Sequence, residues 1–279
     1  EFRRVLFRSD FEMLVNKFRE AGINNVKISA GYRLSYPDEK LFMFYLDEFE
    51  TKLFDLPEGV YTCLIENEDC EEQILTPGMD DEIFSRTKVP MTKNEVRVLS
   101  ISRLELTKKA VVYDVGSGTG SVSVECARLS PDIAVFAIEQ KEEAANLTKE
   151  NAVRLGLSDQ IMVINKKAPE GFEELPTPTH VFIGGSSGAL SDILSAIQKK
   201  LIVKENTKGV RVVINAVSLE TIAQITKLIQ TYPVKHVQLT QIQASRAHKL
   251  GSYNLMQAQN PVLIASFNLL PDDKMEADE

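Results

Sequence analysis

The sequence predicts a Rossmann-like α/β fold with a mostly parallel seven-stranded sheet and an antiparallel hairpin at its edge. From Val111 onward, short apolar runs alternate with amphipathic helical patterns, which is typical of a parallel sheet covered by helices on both faces. The first of these runs ends in a glycine-rich loop, where open α/β sheets bind their ligands. The last two runs have no helical pattern between them, and this departure predicts the edge hairpin.

The start of the chain is left out of the fold prediction. The chain begins with Glu1 rather than methionine, and residues 1–9 mix three arginines with large apolar side chains. A transit peptide would be longer and richer in serine. We therefore interpret this stretch as a non-native or artefactual start.

Residues 10–67 are predicted to be the C-terminal remnant of a separate α/β domain. Their patterns indicate, in order, a helix at Met13–Arg19, a strand from Val26, a turn-rich segment at 31–40, a helix at Leu41–Leu53 and a strand at Val60–Asn67. These elements are too few to close a doubly wound sheet by themselves. Residues 68–88 are acidic and then turn-like, so a linker is predicted there.

Residues 89–270 are predicted to form the complete α/β domain, followed by an acidic tail at 271–279. Thr92 is expected to cap its first helix, because Glu95 stands three residues on, at capping-box spacing. Strands are predicted at Val111–Val115, Ala134–Ile138, Ile161–Ile164, Val181–Ile183, Val210–Ile214, Val234–Ile242 and Pro261–Phe267. Helices are predicted at Gly120–Leu129, Lys141–Leu155, Leu190–Leu201 and Leu219–Ile229.

The loop after the first strand, Asp114–Gly120, indicates the class of cofactor. A dinucleotide fingerprint, G-x-G-x-x-G, would need its third glycine at position 121, which is Ser121 here. The pattern is instead G-x-G-x-G after an acidic residue, as in S-adenosylmethionine sites. That ligand has no pyrophosphate and does not require the helix-terminus geometry of dinucleotide sites.

Residues at three other strand ends extend this prediction. The carboxylate of Glu139, after the second strand, is placed to accept hydrogen bonds from both ribose hydroxyls. Ala168 follows the third strand, where a backbone group would meet the adenine edge, and Gly184-Gly185 follows the fourth, where the methyl group would be presented. A tight turn or a solvated acidic residue explains each feature alone, but their combination favours a cofactor site.

Composition limits the classes of function. The chain has a net charge of −8 over 279 residues, which disfavours non-specific attraction to nucleic acid or to an anionic membrane. The three cysteines, Cys63, Cys70 and Cys126, are odd in number and lack zinc spacing, so a reducing cytoplasm fits and no metal site is expected. No apolar run approaches the length of a membrane span.

Several motifs together are more specific than the glycine loop. They are VPMTKNEVR (Val89–Arg97), VVYDVGSGTGSVSVECA (Val111–Ala127), KAPEGF (Lys167–Phe172), VFIGGSSG (Val181–Gly188) and VINAVSLET (Val213–Thr221). From Val89 to Phe267 the chain resembles the decarboxylating precorrin methyltransferases of cobalamin biosynthesis. The resemblance implies methyl transfer to carbon 15 of the macrocycle and removal of carbon dioxide from the acetate on carbon 12.

The same resemblance implies a set of cofactor-binding positions and an assembly. The positions are Thr92, Gly116, Ser117, Gly118, Thr119, Gly120, Glu139, Ala168, Gly184 and Gly185. The family often has aspartate where this chain has Glu139, and the longer side chain should still reach the ribose. Members commonly form homotetramers, so a homo-oligomer is expected, with the edge hairpin as a plausible interface.

The first region carries a second resemblance. RLSYPDEK (Arg33–Lys40) and VYTCLIEN (Val60–Asn67) are similar to the last part of the precorrin carbon-5 methyltransferase, a tetrapyrrole methylase. Fusion of the two activities is typical of the bifunctional precorrin-6Y C(5,15)-methyltransferases. The part of that domain expected to hold its cofactor site is not in this sequence, so carbon-5 methylation is expected to be absent.

The sequence identifies no general base, and methyl transfer from a sulfonium can proceed by positioning and desolvation. The conjugated macrocycle can itself act as the electron sink for decarboxylation. His180 and His236 are interpreted as structural. Arg246, His248 and Lys249 lie in a polar stretch, Ala244–Asn254, where they either pair with substrate carboxylates or belong to a solvated loop. Any cobalt would belong to the tetrapyrrole substrate.

Two other functions stay open at this point. One is methylation of RNA or protein by the same fold, although FIGGSSG stands where amino-methylating nucleic-acid enzymes usually carry an Asn/Asp-Pro-Pro-Tyr/Phe motif. The acidic balance also disfavours RNA. The other is a non-enzymatic interaction module built on a methyltransferase fold.

Overall fold

The computed structural model describes residues 2–67, 76–203 and 209–272. The chain divides into two compact units, Glu1–Ile74 and Leu75–Glu279. Within the described ranges, no helix combines the length and the apolarity that crossing a membrane requires.

The first unit is a four-stranded antiparallel sheet in the order β1-β4-β2-β3. Its elements are β1 (Phe2–Phe7), α1 (Asp10–Glu20), β2 (Val26–Tyr32), β3 (Lys40–Tyr45), α2 (Phe49–Leu53) and β4 (Val60–Asn67). One sheet face packs on α1, whose Phe11 contacts the ring of Tyr61 edge-on at 5.4 Å between centroids. This contact belongs to the core of the unit.

Two parts of the first unit differ from the sequence prediction. Residues 41–45 were expected to be helical, but they belong to β3, because inward Phe44 alternates with outward Leu41 and Met43. That period of two is typical of a half-buried strand. Residues 2–7, left out of the prediction, form β1 and pair with β4 along their whole length, from Phe2↔Ile65 to Phe7↔Val60.

The second unit contains a seven-stranded sheet in the order β10-β13-β9-β8-β5-β6-β7. The strands of this sheet are β5 (Val111–Val115), β6 (Ala134–Ile138), β7 (Ile161–Ile164), β8 (His180–Ile183), β9 (Val210–Ala216), β10 (Val234–Ile242) and β13 (Val262–Leu269). The unit also contains β11 (Ser245–Leu250) and β12 (Tyr253–Ala258), which pair only with each other. Its helices are α3 (Asn94–Leu104), α4 (Ser121–Ala127), α5 (Glu142–Arg154), α6 (Leu190–Val203) and α7 (Leu219–Thr231). Strands β5 to β9 are parallel, and β13 runs antiparallel to both of its neighbours. The predicted fold class and edge hairpin are confirmed.

Both faces of this sheet are buried, which explains its continuous apolar strands. Tyr113 and Val115 of β5 face a core layer that includes α6 and α7. Val112, between them, faces the opposite layer with α3 and α4. From β5 the chain proceeds to β6 and β7 on one side, then returns to β8 and β9 on the other. This reversal opens a crevice at the carboxyl end of β5.

Two further segments of this unit differ from the prediction. The stretch Ala244–Asn254, expected to be a polar loop, contributes to a separate antiparallel hairpin of β11 and β12. Residues 76–88, predicted as linker, pack onto the unit: the amides of Gly78 and Met79 donate to the buried carboxylate of Glu125 at 2.9 and 2.8 Å. Residues 68–75 and 273–279, predicted as linker and acidic tail, lie outside the described residues.

Candidate functional site

A cavity of about 580 Å³ lies at the carboxyl ends of the parallel strands. Its size falls within the range of small-molecule sites, about 300–1,000 Å³. It is lined by the loops after β5, β6, β7, β8 and β9, and by a segment before α3, Val89–Lys93, called here the wall segment. The cavity therefore occupies the crevice where a doubly wound sheet binds its ligand.

Close backbone packing at this cavity explains two of the glycines. Gly116 has φ +73°, and a Cβ there would lie 2.6 Å from the carbonyl oxygen of Gly185. Gly118 has φ +59°, and a Cβ there would lie 2.9 Å from the carbonyl oxygen of Pro90 in the wall segment. Only glycine allows the loop to approach both neighbours so closely. At Gly185 a Cβ would meet nothing within 4 Å.

Glu139 places a carboxylate on the cavity wall. Its side chain is largely buried, and its two oxygens accept from the amides of Gly118 at 3.1 Å and Lys141 at 2.9 Å. Each oxygen keeps a free lone pair for a further donor. The carboxylate is thus held in place by the backbone and can still accept hydrogen bonds from a diol.

Most of the predicted cofactor positions share this cavity. Thr92, Gly116, Ser117, Gly118, Glu139, Ala168, Gly184 and Gly185 all line it. Thr119 and Gly120 instead lie against α5: the Thr119 carbonyl accepts from Asn151 Nδ2 at 2.9 Å, and a Cβ at Gly120 would meet Thr148 at 2.7 Å. These two residues pack the loop against α5 and do not face the cavity.

The predicted helix cap at Thr92 is wrong. Helix α3 begins at Asn94, its N-cap position is Lys93, and no side chain of the cap residue accepts a hydrogen bond. The first helical amide, that of Asn94, donates instead to Asp81 Oδ1 at 3.1 Å. Thr92 offers its carbonyl oxygen to Arg97 Nη1 at 2.7 Å. A residue distant in sequence therefore replaces the local cap.

A buried ion network lies behind the wall segment. The Arg97 side chain has no exposed surface and pairs with Glu125 and Asp81, both at 3.1 Å. Its guanidinium also donates to the Met79 carbonyl and lies 4.9 Å from the Phe84 ring centroid. Burial alone would raise the pKa of Asp81, but hydrogen bonds from Arg246 and Arg97 outweigh it and lower the pKa. Asp81 is therefore a charged anchor for two arginines.

The three residues predicted for substrate binding lie on β11 and do not line the cavity. Arg246 Nε and Nη2 each donate to Glu95 at 2.7 Å, and its Nη1 donates to Asp81 at 2.8 Å. His248 and Lys249 are exposed. The structure thus satisfies Arg246 with carboxylates of its own chain.

Asp114, at the end of β5, is fully buried beneath the glycine loop. Its Oδ2 accepts from the Ser123 hydroxyl at 2.5 Å, and its Oδ1 has no hydrogen-bond partner among the described residues. Burial raises the pKa of this carboxyl to about 6.

Sequence reasoning missed several polar residues of the cavity. Gln140 Nε2 donates to Ser187 Oγ at 2.7 Å and links the loops after β6 and β8. Asn215, Gln259 and Asn260 also line the cavity. Asn215 lies near the carboxyl end of parallel β9, a detectable signal, whereas Gln259 and Asn260 reach this edge only because β13 is antiparallel.

The chain is similar in sequence to precorrin methyltransferases. The family model described as a precorrin methyltransferase domain matches residues 82–268. A protein of Pyrobaculum calidifontis named probable cobalt-precorrin-6B C(15)-methyltransferase (decarboxylating) is 39% identical over 191 residues, covering 68% of this chain and 94% of its own length. These matches agree with the motif resemblance of Val89–Phe267.

Two solved structures have the same architecture. A precorrin-6y C5,15-methyltransferase of Geobacter metallireducens aligns with TM-score 0.61 and 30% identity, over 69% of this chain and 96% of that one. Precorrin 8w decarboxylase of Methanobacterium thermoautotrophicum aligns with TM-score 0.61 and 31% identity, over 68% of this chain and 100% of that one.

Proposed function

Because this chain belongs to the precorrin methyltransferase family, we propose that it methylates carbon 15 of a precorrin or cobalt-precorrin and decarboxylates the acetate on carbon 12. The methyl donor is S-adenosylmethionine, which supplies an electrophilic methyl group on a sulfonium. The observation that carries the proposal is the shared cavity of Glu139 and the loop glycines at the carboxyl ends of β5, β6 and β8.

The cavity fits this cofactor by shape and donor set. Glu139 can accept from both ribose hydroxyls, and the backbone of Ala168, after β7, is available to the adenine edge. Gly116 and Gly118 expose loop backbone to the amino-acid end of the cofactor, since no side chain fits between them and the cavity-lining backbones of Gly185 and Pro90. The open space at Gly185 is suited to the methyl group that is transferred.

The charges on the cavity wall support an anionic substrate. Among the described lining residues four are lysines, Lys93, Lys141, Lys166 and Lys167, and only Glu139 is acidic. This excess of positive charge occurs in a chain whose net charge is −8. A field of this sign attracts a tetrapyrrole that carries several carboxylates.

The contribution of the protein to the reaction is positioning and exclusion of water. A methyl transfer requires donor and acceptor atoms in line at close range, which a fixed cavity provides. Buried Val115 and Ile138 line its floor and exclude solvent. No side chain is assigned as a general base, because the macrocycle accepts the electrons released by decarboxylation.

Calorimetric titration of S-adenosylmethionine into the purified chain tests the cofactor part of the proposal. We expect stoichiometric binding by folded protein. Folded protein that does not bind it would contradict an enzymatic role and favour an interaction module. Methylation of RNA without reaction on a tetrapyrrole would overturn the substrate part.

We further propose a homo-oligomer, with a tetramer as the expected form, that uses the β10 edge and the β11–β12 hairpin. This surface exposes Leu239, Leu250, Tyr253, Leu255 and Met256, a concentration of apolar side chains that is typical of an interface. Light scattering coupled to size exclusion tests the assembly. Leu255→Glu should reduce the mass to that of a monomer, whereas Leu219→Glu, equally apolar and exposed on α7, should not.

For the first unit we propose descent from a carbon-5 tetrapyrrole methylase. The support is the motif resemblance at Arg33–Lys40, which forms the turn into β3, and at Val60–Asn67, which is β4. Product analysis by nuclear magnetic resonance would show whether carbon 5 is methylated as well as carbon 15. In the part of the chain that the structure describes, the cysteines Cys63 and Cys126 are buried and form no disulfide, which supports a reducing, cytoplasmic setting.

A further inference from the structure

We propose that Arg246 is a positioning residue that holds the wall segment, Val89–Lys93, against the cofactor cavity. This inference rests on the proposed S-adenosylmethionine site. It assigns to Arg246 a role toward the cofactor, which it does not touch, in place of a role toward the substrate.

Arg246 contacts the beginning of α3. Its guanidinium forms a two-point contact with Glu95 in the first helical turn, with both N–H···O distances at 2.7 Å. Such paired contacts fix orientation as well as distance. The third contact, to Asp81 at 2.8 Å, reaches the carboxylate that also accepts the Asn94 amide. Arg246 therefore connects β11 to the N-terminal end of α3 by hydrogen bonds.

The N-terminal end of α3 is joined directly to the cavity lining. The wall segment ends where α3 begins, and all five of its residues line the cavity. Lys93 lies 3.8 Å from Asp81, and Arg97 holds the Thr92 carbonyl at 2.7 Å. On the other side, the Pro90 carbonyl packs tightly on Gly118. A shift of the α3 end would move this wall relative to the glycine loop.

The existing contacts of Arg246 disfavour the alternative that it binds a substrate carboxylate. All three of its nitrogens already donate to carboxylates, and Asp81 is almost wholly buried. A substrate carboxylate that took the two-point contact through Nε and Nη2 would have to displace Glu95. The Arg246 side chain is 38% exposed, so a substitution there should leave the fold intact. Asp81 would keep Arg97 and Lys93 as partners.

The test is the affinity for S-adenosylmethionine, measured by calorimetry on the full chain without tetrapyrrole. We expect Arg246→Gln to weaken binding by about twofold to fivefold, the upper part of the range for a partly exposed ion pair. Arg246→Lys should restore part of the loss. Lys235→Gln, the same loss of charge at an exposed position on β10, should leave the affinity unchanged.

A double-mutant cycle separates positioning from general destabilisation. Glu95→Gln should weaken cofactor binding like Arg246→Gln, and the double variant should be no worse than either single one. Additive effects, or Arg246→Gln with normal cofactor affinity but a raised KM for the tetrapyrrole, would overturn the inference alone. A wild-type chain that binds no S-adenosylmethionine would overturn the proposed function and this inference with it.

Discussion

The carboxylate of Glu139 accepts a hydrogen bond from the backbone amide of Gly118 at 3.1 Å. The acidic residue at the end of β6 and the glycine loop after β5 are therefore joined in one hydrogen-bonded site and are not two independent features. The contact fixes the carboxylate at the cavity wall, and it holds the loop in the left-handed conformation that Gly118 adopts.

Replacing this carboxylate should weaken cofactor binding more than it weakens the fold. For Glu139→Gln we expect the Kd for S-adenosylmethionine to rise by about tenfold to a hundredfold, since a hydrogen bond to a charged group contributes roughly 1.5–3 kcal/mol. Calorimetry measures the change. Glu142→Gln, at an exposed position in the first turn of α5, is the control. An unchanged Kd in Glu139→Gln would remove this residue from the site.

The close approach of the glycine loop to the loop after β8 makes a second prediction. Gly116 and Gly156 have nearly equal φ, +73° and +70°, but a Cβ meets Gly185 at the first and nothing within 4 Å at the second. Gly156→Ala should cost only the backbone strain, about 1–2 kcal/mol. Gly116→Ala should cost about 1–3 kcal/mol more, because backbone must move to admit the methyl. Thermal unfolding compares them, and equal costs would contradict this packing.

The parts of this fold that the sequence predicts are those whose pattern is local. Strands β5, β6 and β7 begin and end where the apolar runs do, because both sheet faces are buried and no alternation is needed. At residues 41–45 the near-continuous apolar run LFMFY obscures the period of two, so a helix was predicted where β3 lies. Periodicity alone cannot separate these cases in a short run.

The parts of the site that the sequence does not predict depend on residues distant along the chain. Glu95 has the spacing of a capping box with Thr92, yet its carboxylate binds Arg246, 151 residues later. Asp81, 13 residues before Asn94, takes the place of the cap. Both outcomes follow from tertiary contacts that override a local preference. Strand β11 likewise has a mostly polar sequence, SRAHKL, which is typical of a loop.

Stability should depend on pH through Asp114. Burial raises its pKa from 3.8 to about 6, so the folded state favours the neutral carboxyl. The contribution of this group is therefore fully present below about pH 4 and is lost as pH rises through about 6. A two-unit shift corresponds to at most about 3 kcal/mol.

Asp114→Asn removes this titration and keeps the acceptor for Ser123. The stability of the variant relative to wild type should rise between pH 4 and pH 7. Stability should be measured from the thermal unfolding transition of the second unit. That transition is identified as the one that shifts when S-adenosylmethionine is added. A difference between the two proteins that is constant across this interval would show that Asp114 does not titrate there.

The buried network around Arg97 should be important for stability. Arg97→Met leaves the carboxylates of Glu125 and Asp81 in the interior with fewer partners, a change that typically costs about 3–5 kcal/mol. Arg154→Met is the control, because among the described residues Arg154 donates only to the neutral side chain of Asn151. We expect Arg154→Met to change the free energy of unfolding by less than about 1 kcal/mol. Similar losses in both variants would contradict a structural role for the network.

The central claim is that one cavity serves both methyl transfer and decarboxylation of a tetrapyrrole. The most direct measurement is mass spectrometry of a carbon-12 acetate-bearing precorrin incubated with the chain and S-adenosylmethionine carrying an isotope-labelled methyl group. The proposed function predicts a product that has gained the labelled methyl and lost carbon dioxide, and Glu139→Gln should reduce both changes together. An unmodified tetrapyrrole, or methyl transfer with the acetate retained, would contradict it.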